Sequence, residues 1–139
     1  MAPEEYRSFM TDVARTGKLA TVRAGGRPHV APIWFDMDGD ALIFMTYEKS
    51  VKGKNILRDG RVSICVDDDK PPFSFVVVEG QAEILSPSPE EFLEWSTRIG
   101  GRYMGPDQAE AFGRRNAVPG ELLLRVQPTK IIARHGVAD

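Results

Sequence analysis

What the chain lacks narrows its chemistry first. It has a single cysteine, Cys65, so no disulfide can close within it, and a reducing compartment fits. Cys65 sits in the apolar run Val62-Ser63-Ile64-Cys65-Val66 and reads as a small buried hydrophobe. There are two histidines, His29 and His135. With one cysteine beside them they make a poor zinc site, and no serine carries the flanking glycines of a nucleophile elbow. His29 has no carboxylate near it in sequence; a Cys–His or Ser–His pair formed by folding stays open at this level. No apolar run approaches the ~20 residues that cross a bilayer, and the acidic start Met1-Ala2-Pro3-Glu4-Glu5 has no apolar leader core. A net charge of −2 lacks the basic excess that nucleic-acid binding demands. Gly25, Gly26, Gly53, Gly100 and Gly101 spell neither a phosphate-binding P-loop nor a dinucleotide fingerprint. The expectation is a cytoplasmic protein with no metal, no membrane span and no nucleic-acid partner.

What is present is mostly strand. The 139 residues suit one domain over 1–139. Glu4 to Ala14 carries Tyr6, Phe9, Met10 and Val13 at helical spacing, and is expected to cap a barrel end. Leu19–Arg23, Pro28–Met37, Ala41–Thr46, Arg61–Val66 and Phe73–Leu85 read as strands, with tight turns at Gly25-Gly26 and Asp38-Gly39-Asp40. Pro28 and Pro32 place the second strand at an edge, or with part of its backbone facing a ligand. Phe73 to Val78 is apolar on both faces, which suggests a partner outside as well as a core inside. Gly80 allows a bulge. Ser88-Pro89-Glu90-Glu91 has the spacing of a helix start, and that helix is expected to end at Gly100-Gly101. A second helix follows from Pro106 to Arg115. Glu121–Val126 and Lys130–Arg134 form a last strand or strand pair split at Pro128. Asp67-Asp68-Asp69 reads as a solvated loop, since neighbouring aspartates point apart and calcium-loop spacing is missing. The fold expected is mainly β: a six-stranded antiparallel barrel with short helices.

One stretch stands out for chemistry. Thr46-Tyr47-Glu48-Lys49-Ser50-Val51-Lys52-Gly53-Lys54-Asn55 links a strand to a short helical run, Asn55–Asp59. Hydroxyls, ammonium groups and helix-start N–H groups there can converge on a phosphate. In an extended conformation Ser50, Lys52 and Lys54 would share one face, with Arg58 and Arg61 nearby. The competing reading is a solvated lysine-rich loop.

The order and spacing of several motifs resemble the pyridoxamine-5′-phosphate-oxidase-like split β-barrel family, and most of all its branch that uses the deazaflavin coenzyme F420. The matching residues are Gly26 to Phe35, then Thr46 and Ser50 to Asp59, then Arg61-Val62-Ser63-Ile64. Val77 to Ile84 and Arg102-Tyr103-Met104-Gly105 follow, so the likeness runs from Gly17 to Ile132. The resemblance implies a homodimeric split barrel with two cofactor sites at the interface. It implies that Ser50, Lys52 and Lys54 hold the cofactor phosphate, with Thr46 and Asn55 in the same motif. It implies that Val30, Ala31, Pro32, Ile33 and Trp34 run along the cofactor ring, and that the second protomer closes the site through Phe75 and Tyr103. Val51 stands where flavin-mononucleotide (FMN) oxidases of the family usually carry an arginine, which favours F420 over FMN. The activity implied is hydride transfer between reduced F420 and a small electron-poor acceptor, with no protein nucleophile and product protonation from solvent, Tyr or Arg. The alternatives are an FMN-dependent oxidoreductase of the pyridoxamine-phosphate-oxidase type, or a non-catalytic flavin-, deazaflavin- or haem-binding protein.

Overall fold

The computed structural model describes residues 1–137. Four helices, α1 (Pro3–Asp12), α2 (Val51–Arg58), α3 (Pro89–Met104) and α4 (Ala109–Asn116), surround one antiparallel sheet. Its strands are β1 (Gly17–Val22), β2 (Pro28–Ile33), β3 (Phe35–Asp38), β4 (Ala41–Tyr47), β5 (Arg61–Asp67), β6 (Phe75–Ile84) and β7 (Glu121–Arg134), in the order β2-β1-β5-β6-β7-β4-β3.

The count is seven strands rather than six because the run from Pro28 to Met37 breaks at Trp34. Ile33 pairs with Gly17 of β1, whereas Phe35 pairs with Phe44 of β4. Residues two apart in sequence therefore lie on opposite edges of the sheet. The sheet must curl until those edges approach, which is what makes a split, barrel-like shell. Ile33 and Phe35 both point into its interior, 4% and 0% exposed. β2 is an edge strand, so the missing N–H groups of Pro28 and Pro32 break no ladder.

Strand alternation fills the inside with Leu19, Phe44, Val76, Val78, Leu124 and Val126. Each such side chain contributes roughly 1.5–3 kcal/mol by burial. Tyr6 and Met10 of α1 join that cluster, so α1 caps the shell as its periodicity suggests. α1 stops at Asp12, two residues before the expected Ala14, where Arg15 turns back to donate to the Phe9 carbonyl and pair with Asp12.

The opposite face of the sheet is treated differently along its width. Over β3, β4 and β7 it is closed: α3 packs against β3, and Ile43, Leu123 and Ile99 are buried. Over β1, β5 and β6 it stays open. Cys65 lies there, half-exposed between Lys18 and Val77 rather than buried, because the period of two turns it away from Ile64 and Val66. Burial and the Asp67 carboxylate push its thiol up. Phe75 and Val77 share this open face.

β7 is one strand across Pro128. The register slips between Glu79 and Gly80, so that Gly80 faces Pro128 and Glu79 faces Lys130, with Thr129 the extra residue. A Cβ on Gly80 would sit 2.6 Å from the Gln127 carbonyl oxygen, so only glycine admits this bulge. β6 begins at Phe75, not Phe73, since Phe73 adopts φ 65° in the preceding turn. The acidic loop is not simply solvated: Asp67 binds Lys18 at 2.8 Å, and Asp68 lies 3.8 Å from Arg15.

α3 starts as its sequence suggests, with Ser88 accepting from the Glu91 N–H. It does not end at Gly100-Gly101; it runs through them to Met104, and Gly105 at φ 96° ends it. The two glycines are packing residues. A Cβ on Gly100 would lie 2.8 Å from Phe112 Cβ, and one on Gly101 would lie 2.8 Å from Ala109 Cβ. Their absence lets α4 lie directly on α3, where Ser96 Oγ donates to the Gly113 carbonyl at 2.8 Å. No described helix is long and apolar enough to cross a membrane.

Candidate functional site

The β4–α2 connection is tighter than an open turn. α2 starts at Val51, four residues before the expected start at Asn55, because Ser50 caps it. Ser50 Oγ accepts from the Gly53 N–H at 3.0 Å, lies 3.0 Å from Thr46 Oγ1 and donates to the Tyr47 carbonyl at 2.7 Å. A hydroxyl has one donor and two acceptor sites, so full satisfaction assigns the Thr46 proton to Ser50. Ser50 therefore fixes the turn and has no spare donor for a phosphate. Gly53 is required here, since a Cβ would fall 2.2 Å from the Tyr47 carbonyl oxygen.

This helical start overturns the shared face of Ser50, Lys52 and Lys54. At about 100° per residue, Lys52 and Lys54 point roughly 200° apart around α2. Lys52 lines a cavity of about 370 Å³, while Lys54 is exposed and lines none of that cavity. Asn55 is turned inward: it is 4% exposed, its side-chain amide donates to Thr21 Oγ1 at 3.0 Å, and its side-chain carbonyl accepts from Arg58 at 3.1 Å. It pins α2 to β1.

The cavity gathers six of the expected residues: Pro32, Ile33, Trp34, Thr46, Ser50 and Lys52. Met45, Tyr47, Ser96, Ile99, Asn116 and Glu121 complete its wall, and nothing in their local sequence marks them. They come from three elements and a helix end that only the fold brings together. Lys52 makes no hydrogen bond or ion pair among the described residues. Glu121 lies close enough for Lys52 to pull its pKa down, but burial acts more strongly and holds its carboxyl above the usual range.

Trp34 forms a flat wall. Tyr103 stacks on it with centroids 5.1 Å apart and planes within 5°, and Phe112 tilts against it at 6.1 Å. Such aromatic pairs contribute about 0.5–1.5 kcal/mol beyond burial. Tyr103 is itself fixed. Its hydroxyl accepts from the Phe35 N–H at 3.2 Å and donates to the Arg15 carbonyl at 2.8 Å. Burial raises its pKa, and the Phe35 N–H and Arg102 offset only part of that rise. Arg102 donates to the Met10 carbonyl at 2.6 Å and lies 3.7 Å from Asp36, which Arg98 also reaches at 3.3 Å. Tyr103 thus stands behind Trp34 within the chain, and its place at the end of α3 ties the wall to β3 and to the segment after α1.

Three expected residues lie elsewhere. Val30, 65% exposed, and Ala31 sit farther along β2. Phe75 pairs with Arg134 at the opposite end of β7 from Glu121, far from this cavity within one chain. A second, wider groove of about 660 Å³ crosses the open sheet face past Ala20, Ser63, Glu79 and Arg61. Its cation is already engaged, since Arg61 binds Asp59 at 2.7 Å. The smaller cavity therefore has the better anion seat.

A curled antiparallel shell with a one-lysine cavity beside an aromatic wall defines a split barrel with a candidate small-ligand site. The chain belongs to the pyridoxamine 5′-phosphate oxidase family, whose model matches residues 2–135. Among curated proteins it is similar to a 5a,11a-dehydrotetracycline/5a,11a-dehydrooxytetracycline reductase of Streptomyces rimosus subsp. rimosus, 36% identical over 77 residues. That match spans 50% of this chain and 54% of the relative, so it covers about half the length of each. Among solved structures, a conserved hypothetical protein of Mycobacterium tuberculosis, Rv2991, superposes with a TM-score of 0.81 at 28% identity, covering 96% of this chain and 84% of that one. A structure described as an F420 reductase superposes with a TM-score of 0.71 at 29% identity, covering 90% and 94%.

Proposed function

We propose that this protein is an F420-dependent reductase acting on a small electron-poor organic molecule. The observation that carries this reading is the unengaged Lys52 in a cavity walled by the Trp34–Tyr103 stack. Likeness over nearly the whole chain to a structure described as an F420 reductase, and over half of it to a tetracycline-type reductase, supports the same reading.

The residues present suit such a group. Lys52 offers an ammonium to a phosphate. Trp34, held flat by Tyr103, offers a face against which a planar ring stacks, and Pro32 and Ile33 bring β2 backbone alongside it. Met45 and Ile99 keep that side of the cavity apolar. When bound, the deazaflavin supplies the hydride, so the protein needs no nucleophile of its own. A cavity of about 370 Å³ accommodates part of a cofactor of this size, not all of it. The open face over β1, β5 and β6, with Phe75 and Val77 on it, is then the surface on which a second copy completes the site. The working form proposed is a homodimer.

Binding tests this directly. Titration with F420 and with FMN, each followed by visible absorbance and native mass spectrometry, should show F420 bound to a dimer. Lys52→Ala should weaken F420 binding by about 10- to 100-fold, the value of one charge-assisted hydrogen bond, and Lys54→Ala by less than about threefold. Equal losses in the two variants, or none in Lys52→Ala, would remove the phosphate seat from this cavity. FMN bound in preference to F420 would move the protein to the flavin-dependent side of the family.

A further inference from the structure

We propose that Glu121 sets the charge specificity of the Lys52 cavity, admitting a phosphodiester with one negative charge and disfavouring a phosphomonoester with two. The inference rests on the reading that Lys52 holds a phosphate, and goes beyond it by assigning the discriminating residue. Glu121 opens β7, paired with Tyr47 of β4, and lines the same cavity as Lys52 and Ser50. Its carboxyl is half-buried yet closes no ion pair with Lys52.

The charged and titratable groups around Glu121 are few. From α2 comes Lys52. From the end of β4 come Tyr47 and the adjacent Glu48, whose N–H donates to the Gly120 carbonyl. From α4 comes Arg114, in the adjoining groove that Glu121 also lines, where Glu110 holds it at 2.5 Å. Lys54 is turned away, and Val51 is apolar. The cavity therefore presents one available cation and one carboxylate. A singly charged diester meets the lysine with a carboxylate nearby. A doubly charged monoester adds a second negative charge that no cation answers, beside a carboxylate that burial already disfavours in its ionised form. F420 is attached through a phosphodiester, whereas FMN ends in a phosphomonoester whose second ionisation lies near pH 6.

The test measures dissociation constants of the purified protein for FMN and for F420 by fluorescence quenching, at pH 6 and pH 8. It uses the wild type, Glu121→Gln and Lys52→Ala. In the wild type, FMN binding should weaken relative to F420 as pH rises through the monoester's second ionisation. A site with a lysine and no opposing carboxylate would show the reverse. At pH 8, Glu121→Gln should tighten FMN by about tenfold and F420 by less. An unchanged FMN-to-F420 ratio in Glu121→Gln, or a wild type that gains FMN affinity towards pH 8, overturns the proposal. If Lys52→Ala loses both ligands while Glu121→Gln leaves the ratio alone, the phosphate seat stands and only the role of Glu121 falls. If Lys52→Ala binds both as the wild type does, both readings fall together.

Discussion

Replacing Tyr103 with phenylalanine isolates what holds the aromatic wall. The ring remains, so the 5.1 Å stack on Trp34 is kept. Only the hydroxyl is lost, and with it the bonds to the Phe35 N–H and the Arg15 carbonyl. Phe35 is 0% exposed, so its N–H has no water to turn to. A buried donor left unpaired costs about 1–3 kcal/mol. Arg15 is partly exposed, and water replaces much of its lost bond. The expected destabilisation is about 2 kcal/mol, or about 5–8 °C in Tm for a domain of this size. Urea unfolding followed by circular dichroism measures it, with an unchanged m-value showing that the unfolded state is unaffected. Tyr103→Ala, which removes the stack as well and leaves a cavity, should cost about 3–5 kcal/mol. A Tyr103→Phe variant within about 0.5 kcal/mol of the wild type would refute the claim that this hydroxyl anchors α3 to β3 and the segment after α1.

Gly113→Ala should destabilise by about 1–3 kcal/mol despite alanine's better helix propensity, because the new Cβ would lie 2.8 Å from Thr97 Cα, which cannot rotate away. Gly25→Ala is the control: nothing lies within 4 Å of its Cβ, and a melt should find it within about 0.5 kcal/mol of the wild type. Stability should also fall at high pH. Burial, helped by the Asp40 charge, pushes the Tyr6 phenol up to about 12 from 10.0. A raised folded-state pKa means that this stability is complete below pH 10 and is lost as pH climbs towards 12. Tyr6→Phe should flatten that alkaline limb in a pH series of urea midpoints, and an unchanged limb would assign the loss to other groups.

Much of the architecture was legible because it is written in local periodicity. α1, the turns at Gly25-Gly26 and Gly39, the Ser88-Pro89 helix start and the alternation in β5 and β6 all follow from neighbours within a few residues. The Gly80 bulge was legible too, since a glycine inside a strand has few other uses. The candidate site was only partly so. Ser50 followed by Gly53 carries a capping signal, yet a lysine-rich segment with a glycine reads equally well as an open turn. That choice reverses where Lys54 points. Glu121, Asn116 and Ile99 carry no signal, because a cavity wall assembled from distant elements leaves no local pattern.

The sequence by itself determined that the chain is a small, mainly β domain with a cationic strand-to-helix turn and motifs of one recognisable family. Hydrophobic period, turn residues and helix caps act over a few residues and need no partner to be read. Only the tertiary structure decided that the run from Pro28 to Met37 splits at Trp34. Its halves bond to strands on opposite edges of the sheet, a choice made by residues far away in sequence. The same long-range closure turns Gly100 and Gly101 from a stop signal into a helix contact. It also leaves Lys52, alone of the three lysines, facing Trp34 and Glu121 across one cavity.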